Sequence, residues 1–151
     1  MKPMKQALNL SIKAGQNGDV PVGAVIVQKG KIIARGENFV QRKKNPTLHA
    51  EIVAINRACK KLGEKFLTDC DIYVTLEPCA MCATAISFAR IQNIYFAATD
   101  DKGGAITANA RVFENDKHLW QPNIIQMPEY AQESAELLRT FFAERRKNPK
   151  N

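Results

Sequence analysis

The sequence predicts an α/β fold in which a central sheet carries helices on its faces. The runs "DIYVTLE" (71–77) and "NIYFAAT" (93–99) are almost continuously apolar and of strand length, as expected for strands buried on both faces of a sheet. The segment between them, 80–89, is apolar almost all round, which predicts a buried crossover helix that joins the two strands. We therefore expect layers of helix packed on a sheet.

The elements before these runs follow from periodicity and turn signals. Apolar positions at helical spacing predict a first helix over 2–15, which ends at "GQNGD". The dipeptide Lys-Gly at 29–30 separates two strand-like runs, 22–28 and 31–38, which predicts a tight hairpin.

The remaining elements alternate in the same way. A second helix is expected with Thr47 as its cap and Gly63 as its stop. After an irregular segment over 100–122, the run "NIIQM" (123–127) predicts a short strand, and a terminal helical region is expected from about Glu129 to Lys147.

Length and composition indicate one globular domain over residues 1–151. Hydrophobic residues make up 45% and charged residues 25% of the 151 residues, the profile of an ordinary folded domain rather than a disordered or fibrous chain. No apolar run approaches the roughly 18–20 residues of a membrane span, and the amino-terminal "MKPMKQALNL" lacks the long apolar core of a signal peptide. We therefore expect a cytoplasmic protein without a membrane partner.

The four cysteines indicate metal binding or catalysis, because cytoplasmic thiols stay reduced and disulfides are rare. Cys59 and Cys70 stand outside any motif and are expected to be small buried hydrophobes or inert thiols. Cys79 and Cys82 form a Cys-x-x-Cys pair directly after Pro78. Since proline is favoured at the first helical position, we expect both of these thiols on the first turn, where the helix dipole favours thiolates.

A Cys-x-x-Cys pair alone fits a redox pair, half of a structural zinc site or part of a catalytic metal site. No second such pair exists to complete a structural site, and the redox interpretation leaves "LHAEI" (48–52) unexplained. In an open α/β sheet, the carboxyl ends of the strands gather the starts of the following helices into one crevice. We therefore expect His49, Cys79 and Cys82 to converge there.

Three protein ligands leave the fourth position of a tetrahedral zinc ion for water, as in a catalytic site. Zinc lowers the pKa of that water to about 7, and the resulting hydroxide needs a group that moves protons. We expect Glu51 to be this group and to point into the pocket. The alternative for Glu51 is a first-turn carboxylate that only complements the helix dipole.

These residues form the signature His-x-Glu followed by Pro-Cys-x-x-Cys, which is typical of zinc nucleobase deaminases. Within that superfamily the chain resembles the bacterial tRNA-specific adenosine deaminases of the TadA type. The resemblance runs along nearly the whole chain, through "DVPVGAVIV", "GEN", "PTLHAEI", "YVTLEPCAMC" and "LLRTFFAERR". It implies a cytidine-deaminase-like fold, a three-layer α/β/α arrangement with a central mixed five-stranded sheet.

The resemblance also implies an activity, the hydrolytic conversion of adenosine to inosine at the wobble position of a tRNA anticodon, usually by a homodimer. It implies that His49, Cys79 and Cys82 hold one Zn²⁺ per subunit. It further implies that Glu51 is the proton shuttle and that Asn38, in "GEN", contacts the base.

Further substrate contacts are implied by two other segments. The similar enzymes carry an aspartate and a lysine two apart in the loop after the fourth strand, which Asp100 and Lys102 match. The net charge is +7, and the terminal "FFAERRK" places cations beside aromatic rings. We expect Phe142, Arg145 and Arg146 to contact the tRNA anticodon stem-loop, because phosphates favour cations and an exposed ring can support a base. The alternative is core packing of the rings beside a solvated basic face.

Two other functions remain open at this point. A deaminase of a free base or nucleoside, such as guanine, cytosine or cytidine, could use the same fold, although a small neutral substrate gives no reason for the basic terminus. A noncatalytic, zinc-stabilised RNA-binding subunit would need the metal but not a proton shuttle such as Glu51.

Overall fold

The computed structural model describes residues 2–149 and contains a five-stranded sheet in the order β2-β1-β3-β4-β5. The strands are β1 (Gly23–Gln28), β2 (Lys31–Glu37), β3 (Cys70–Leu76), β4 (Asn93–Ala98) and β5 (Asn123–Gln126). Strand β1 pairs antiparallel with β2 and β3, whereas β3, β4 and β5 are parallel. The mixed five-stranded sheet, the hairpin and the parallel crossover are confirmed.

Helices cover both faces of this sheet. They are α1 (Pro3–Gln16), α2 (Val40–Lys43), α3 (Ala50–Leu62), α4 (Ala80–Phe88), α5 (Val112–Asn115) and α6 (Ala131–Lys147), with a 3-10 turn at Pro128–Tyr130. Helices α3 and α4 share one apolar core with the sheet, while α1 and α6 enclose a second core on the opposite face. The three-layer arrangement is confirmed. None of the helices within residues 2–149 has the length and apolarity that a membrane span requires.

Several predicted boundaries differ from the structure. Gly63 ends α3 in the left-handed conformation, with φ of 66°, as predicted. Thr47 is not the cap of α3, because His49 occupies that position. Pro78 does not start α4: it lies two residues before Ala80, and Cys79 is the N-cap residue. Proline fits there because the chain is still extended as it leaves β3.

Helix α4 is only partly buried, contrary to the prediction. Ala83 and Ile86 belong to the core that α4 shares with α3. Met81 and Phe88, seven residues apart and therefore on one side of the helix, are exposed, and Phe88 retains 70% of its accessible surface. A mostly apolar helix thus buries one side and presents the other to solvent.

Gly36 allows α3 to lie close against strand β2. A Cβ atom at this position would collide with the backbone oxygen of Ala50 and would lie 2.6 Å from the backbone nitrogen of Ala54. The absence of a side chain therefore brings the first two turns of α3, with His49 at their start, onto the sheet. The parallel register Leu76–Ala98 places the carboxyl ends of β3 and β4 side by side at the same edge.

Candidate metal centre and catalytic pocket

His49, Cys79 and Cys82 converge at the starts of α3 and α4. The Nδ1 atom of His49 lies 3.6 Å from the Sγ atom of Cys79 and 3.6 Å from that of Cys82. All three ligand atoms lie within 4.8 Å of one another. The convergence follows from two N-cap positions, since His49 and Cys79 both have extended backbone immediately before a helix.

The spacing of these atoms fits a tetrahedral zinc ion. Zinc–sulfur bonds of about 2.3 Å and a zinc–nitrogen bond of about 2.1 Å at tetrahedral angles place sulfur and nitrogen about 3.6 Å apart. That separation equals both nitrogen–sulfur distances of the cluster. One imidazole and two thiolates are also ligands that zinc prefers. The cluster could therefore hold zinc and leave a fourth position open.

The electrostatics of the cluster favour an anionic sulfur. In the protein alone, a hydrogen bond from Cys82 holds the pKa of Cys79 well below its usual value, and the hydrogen bond to His49 adds to this effect. The same pairing with Cys79, together with burial, raises the pKa of Cys82. The pKa of His49 is raised chiefly by its hydrogen bond to Cys79. A lowered pKa increases the thiolate form of Cys79, which is the form that binds a metal ion.

Glu51 lies next to this cluster but outside the set of three. It is on the first turn of α3 and retains only 4% of its accessible surface. Burial raises the pKa of Glu51 to about 7 in the protein alone, and its carboxyl group interacts with the Cys82 side chain. A carboxyl group that titrates near neutral pH can both accept and return a proton.

A pocket of about 310 Å³ opens over these residues. This volume lies at the lower end of the range of about 300–1,000 Å³ that small-molecule sites occupy. Its lining residues come from five segments that meet at this edge of the sheet: Asp19, Val20, Val22, Asn38, Val40, Gln41, His49, Glu51, Leu76, Glu77, Cys79, Asp100 and Gly103. Apolar side chains together with convergent polar groups are typical of a small-molecule site.

Asn38 lines the pocket and is held at both ends of its amide. Its Oδ1 atom accepts a hydrogen bond of 2.8 Å from the backbone nitrogen of Ala50, and its Nδ2 atom donates to the backbone oxygen of Val20 at 2.9 Å. The Ala50 nitrogen belongs to the first residue of α3, so Asn38 caps that helix from a distant position in the sequence. One Nδ2 hydrogen remains for a ligand.

The loop after β4 brings Asp100 but not Lys102 to the pocket. Asp100 is among the lining residues, and its Oδ1 atom accepts hydrogen bonds from the backbone nitrogens of Lys102 and Gly103, at 3.1 and 3.0 Å. Lys102 is exposed outside the pocket wall. Glu77, which is 2% exposed, accepts hydrogen bonds from Ile106 and Thr107 of the same loop.

The C-terminal residues expected to contact RNA differ in their surroundings. Phe142 and Arg146 are exposed on α6. Arg145 is half-buried: it donates a hydrogen bond of 2.8 Å to the backbone oxygen of Gly18, and its guanidinium lies 4.9 Å from the centre of the Phe141 ring. These residues lie along α6 and do not line the catalytic pocket.

Sequence reasoning missed the charged residues that support the pocket. Asp19 and Glu77 line it, and Arg42 joins Asp19 to Glu37 behind its wall. Their partners lie 5 to 30 residues away along the chain, so no local spacing could reveal the pairs. The one available signal was the presence of acidic residues inside apolar stretches, as in "TLEPC".

Comparison with known proteins agrees with this geometry. The family model of MafB19-like deaminases matches residues 1–146. A tRNA-specific adenosine deaminase from Agrobacterium fabrum is 46% identical over 143 residues, which cover 95% of this chain and 93% of that protein. The chain belongs to the tRNA-specific adenosine deaminase family. The cytidine-deaminase-like fold and the deaminase class expected from the signature are thereby confirmed.

Two solved structures superpose on this member of the tRNA-specific adenosine deaminase family. A structure from a study of A-to-I editing by tRNA:A34 deaminases at the wobble position of transfer RNA superposes with a TM-score of 0.87 at 44% identity, covering 90% of this chain and 98% of that one. Guanine deaminase from Bacillus subtilis superposes with a TM-score of 0.63 at 45% identity, covering 64% and 62%. The first match extends over far more of both chains.

Proposed function

We propose that this protein converts adenosine to inosine at the wobble position of a tRNA anticodon by hydrolytic deamination. The observation that carries the chemistry is the convergence of His49, Cys79 and Cys82, with nitrogen–sulfur distances of 3.6 Å, beside the buried Glu51. The substrate is inferred from the nearly full-length similarity to tRNA-specific adenosine deaminases. We propose one deaminase domain over residues 1–151 and a cytoplasmic location, where tRNA is found.

His49, Cys79 and Cys82 are proposed to hold the zinc ion. A zinc ion in this cluster would supply Lewis-acid activation of the attacking water at neutral pH. The remaining chemistry requires one proton of that water to move to the ring nitrogen and the other to the leaving amine.

Glu51 is proposed to carry out this proton transfer. Its carboxylate takes a proton from the water that attacks C6 of adenine and delivers it to the adjacent ring nitrogen. The second proton of the water leaves with the exocyclic amine as ammonia, so that water and adenosine become inosine and ammonia. The burial of Glu51 beside the Cys82 side chain supports this role.

Asn38 and Asp100 are proposed to hold the base. The free Nδ2 hydrogen of Asn38 can donate to a ring acceptor, while its other contacts fix the direction of the amide. Asp100 also lines the pocket, in a loop whose backbone its own carboxylate orders. Lys102, exposed beside that loop, is proposed to meet a phosphate rather than the base.

The RNA surface is proposed to lie around the ends of α2 and α6. A polar cavity of about 570 Å³ between these helices is lined by Gln41, Lys44 and Arg145, and Gln41 also lines the catalytic pocket. Lys43 and Lys44 are exposed, and neither forms an ion pair within residues 2–149. Phosphates that flank a base in the pocket would reach these cations.

Phe142, Arg145 and Arg146 are proposed to extend this surface along α6. Arg145 already binds Gly18, so its first role is to hold α6 against the segment after α1. Phe142 and Arg146 are the more accessible of the three and are proposed to provide the stacking and the phosphate contact.

A homodimer is also proposed, and the exposed apolar side of α4 supports it. Phe88 and Trp120 keep 70% and 46% of their accessible surface and line one shallow cavity. Exposed aromatic side chains that lie together are typical of protein interfaces. A monomeric mass by light scattering at micromolar concentration would contradict this proposal.

Deamination of a free base or nucleoside is the competing function. The guanine deaminase match shows that a related chain can act on such a substrate. It covers only 64% of this chain, however, against 90% for the tRNA:A34 deaminase. A noncatalytic RNA-binding role would leave the buried carboxyl group of Glu51 without a purpose.

The test is inosine formation on an anticodon stem-loop with adenosine at the wobble position. The same enzyme is assayed on guanine, cytosine, cytidine and free adenosine, and on a stem-loop whose adenosine lies one position away. We expect turnover of the wobble stem-loop alone. Turnover of a free base or nucleoside in its place would overturn the substrate, and no turnover by zinc-loaded enzyme on any of them would overturn the enzymatic proposal.

A further inference from the structure

Arg42 bridges two buried carboxylates behind the wall of the catalytic pocket. Its Nε atom donates to Asp19 Oδ2 at 2.6 Å, and its Nη2 atom donates to Glu37 Oε2 at 2.8 Å. Asp19 has no accessible surface and Glu37 has 2%. The guanidinium lies 4.1 Å from the centre of the Phe39 ring, which covers one of its faces. The side chain is therefore held from three directions.

The same guanidinium also holds the main chain of Asn38. Its Nη2 atom donates a hydrogen bond of 2.8 Å to the Asn38 backbone oxygen. The Asn38 side chain in turn joins Val20 to Ala50, the first residue of the helix that carries Glu51. One hydrogen bond thus separates Arg42 from the residue proposed to contact the base.

A second path from Arg42 to the pocket runs through Asp19. While Oδ2 of Asp19 binds Arg42, its Oδ1 atom accepts a hydrogen bond of 2.7 Å from the backbone nitrogen of Gln41. Asp19, Val20 and Gln41 all line the catalytic pocket, whereas Arg42 does not. The segment after α1 is therefore fixed against the segment after β2 by Arg42, which lines the polar cavity between α2 and α6 rather than the catalytic pocket.

We propose that Arg42 is a positioning residue of the deamination reaction, because its links to Asp19 and to the Asn38 backbone set the pocket wall against which the base lies. This inference rests on the proposed function for the identity of the base. Misplacement of a bound group by about 1 Å can lower a rate about 100-fold even when the altered residue lies away from the reacting atoms.

Lysine cannot replace arginine in this arrangement. Arginine presents a planar fork of donors, so that one side chain reaches Asp19, Glu37 and the Asn38 backbone at once. A lysine ammonium carries the same charge at a single point, and its three donors diverge from one nitrogen instead of lying in a planar fork. The substitution Arg42→Lys therefore keeps the positive charge and removes the planar arrangement of donors.

The experiment measures kcat, KM, zinc content and thermal midpoint for Arg42→Lys and Asp19→Asn on the wobble stem-loop. For both variants we expect one zinc per chain, a folded protein at the assay temperature, and kcat lowered about 10- to 100-fold with KM changed less than about threefold. A merely structural role would lower activity in proportion to the folded or zinc-loaded fraction and leave kcat per folded chain unchanged.

Two controls accompany these variants. Arg35→Lys makes the same chemical change at an exposed arginine of strand β2, outside the lining of the catalytic pocket. Lys13→Gln removes the outer partner of Glu37, 3.4 Å from its Oε1 atom, without touching Asn38 or Asp19. Both controls are expected to keep wild-type kcat.

The outcomes separate this inference from the proposed function. Turnover of the stem-loop by the wild-type protein tests the proposed function alone. The ratio of variant kcat to wild-type kcat tests the role of Arg42, and it can be measured on whichever substrate the wild-type protein deaminates. Folded, zinc-loaded Arg42→Lys and Asp19→Asn with kcat within about twofold of wild type would overturn the inference. Failure of both variants to fold would also overturn it, since the network would then serve stability.

Discussion

Glu77 binds Thr107 twice, since one carboxylate oxygen accepts the backbone N–H at 3.0 Å and the other accepts the hydroxyl at 2.7 Å. The oxygen that binds the backbone of Thr107 also accepts a hydrogen bond of 3.1 Å from Ile106. A carboxylate that donates nothing and accepts from several directions is suited to hold a loop rich in backbone N–H groups. This loop also carries Asp100 into the catalytic pocket.

Glu77→Gln should therefore loosen the loop. The amide NH₂ of glutamine would face hydrogen-bond donors and leave at least one of them unpaired, which costs about 1–3 kcal/mol of unfolding free energy. Denaturant unfolding measures the cost, and hydrogen exchange at Ile106 and Thr107 shows whether it is local. The control Glu114→Gln alters an exposed glutamate and should change stability by less than about 0.5 kcal/mol. Equal stability and unchanged exchange in Glu77→Gln would refute this role.

Glu51→Gln should separate metal binding from turnover. The amide keeps the shape of the side chain but cannot carry the proton. We therefore expect full zinc content and a rate lowered by about 10²- to 10⁴-fold. Zinc analysis and inosine formation are measured on the same sample. Glu64→Gln, an exposed glutamate just beyond the end of α3, is the matched control. Retained activity in Glu51→Gln would reject the shuttle.

Cys82→Ser should abolish metal binding rather than merely slow the reaction. The hydroxyl of serine is a poor zinc ligand, and two remaining ligands do not hold the ion tightly. We expect zinc to fall from one per chain to near zero, with activity lost in parallel. Cys59→Ser alters a thiol outside the cluster, so that variant should keep its zinc. Stoichiometric zinc in Cys82→Ser would show that the ligand set is different.

The lysine pair at the end of α2 should contribute to RNA affinity through phosphates. Each lost phosphate contact lowers the slope of log K against log salt by about 0.7–0.9, so Lys43→Gln with Lys44→Gln should lower it by about 1–2. The matched control is Lys60→Gln with Lys61→Gln, an adjacent exposed pair in the last turn of α3, far from His49. Filter binding of the stem-loop at several salt concentrations measures the slope for each variant. A slope for the Lys43 and Lys44 variant equal to that of the wild type would show that α2 is not part of the RNA surface.

The thiol of Cys70 should be unreactive in the folded protein. Burial raises its pKa from about 9 to about 12, so almost no thiolate is present at pH 8. Because the folded pKa is the higher one, the stability that the neutral thiol contributes is intact below about pH 9 and declines as the pH rises toward 12. Alkylation followed by mass spectrometry should modify Cys70 only after unfolding in denaturant. Rapid modification of the native protein at pH 8 would show that the thiol is accessible.

The long elements were predictable because their periodicity extends over many residues. Helices α2 and α5 were missed, since four residues each, Val40–Lys43 and Val112–Asn115, give too short a pattern. The exposure of Phe88 was missed because an apolar residue on an apolar helix carries no signal of the side it faces. The gathering of helix starts at the carboxyl ends of strands predicted that His49 would approach Cys79. Arg42 and Asp19, 23 residues apart, became partners only through folding.

The double attachment of Asn38 also bears on how this enzyme could acquire a new specificity. Its side chain caps the helix that carries Glu51 and joins that helix to Val20, so any replacement would alter the proposed base contact and loosen both segments together. A substitution at this position therefore has two unfavourable effects. Val20 and Val40 line the same pocket through apolar side chains, which can change in size at a smaller cost. We expect new base preferences to evolve there first, with Asn38 left in place.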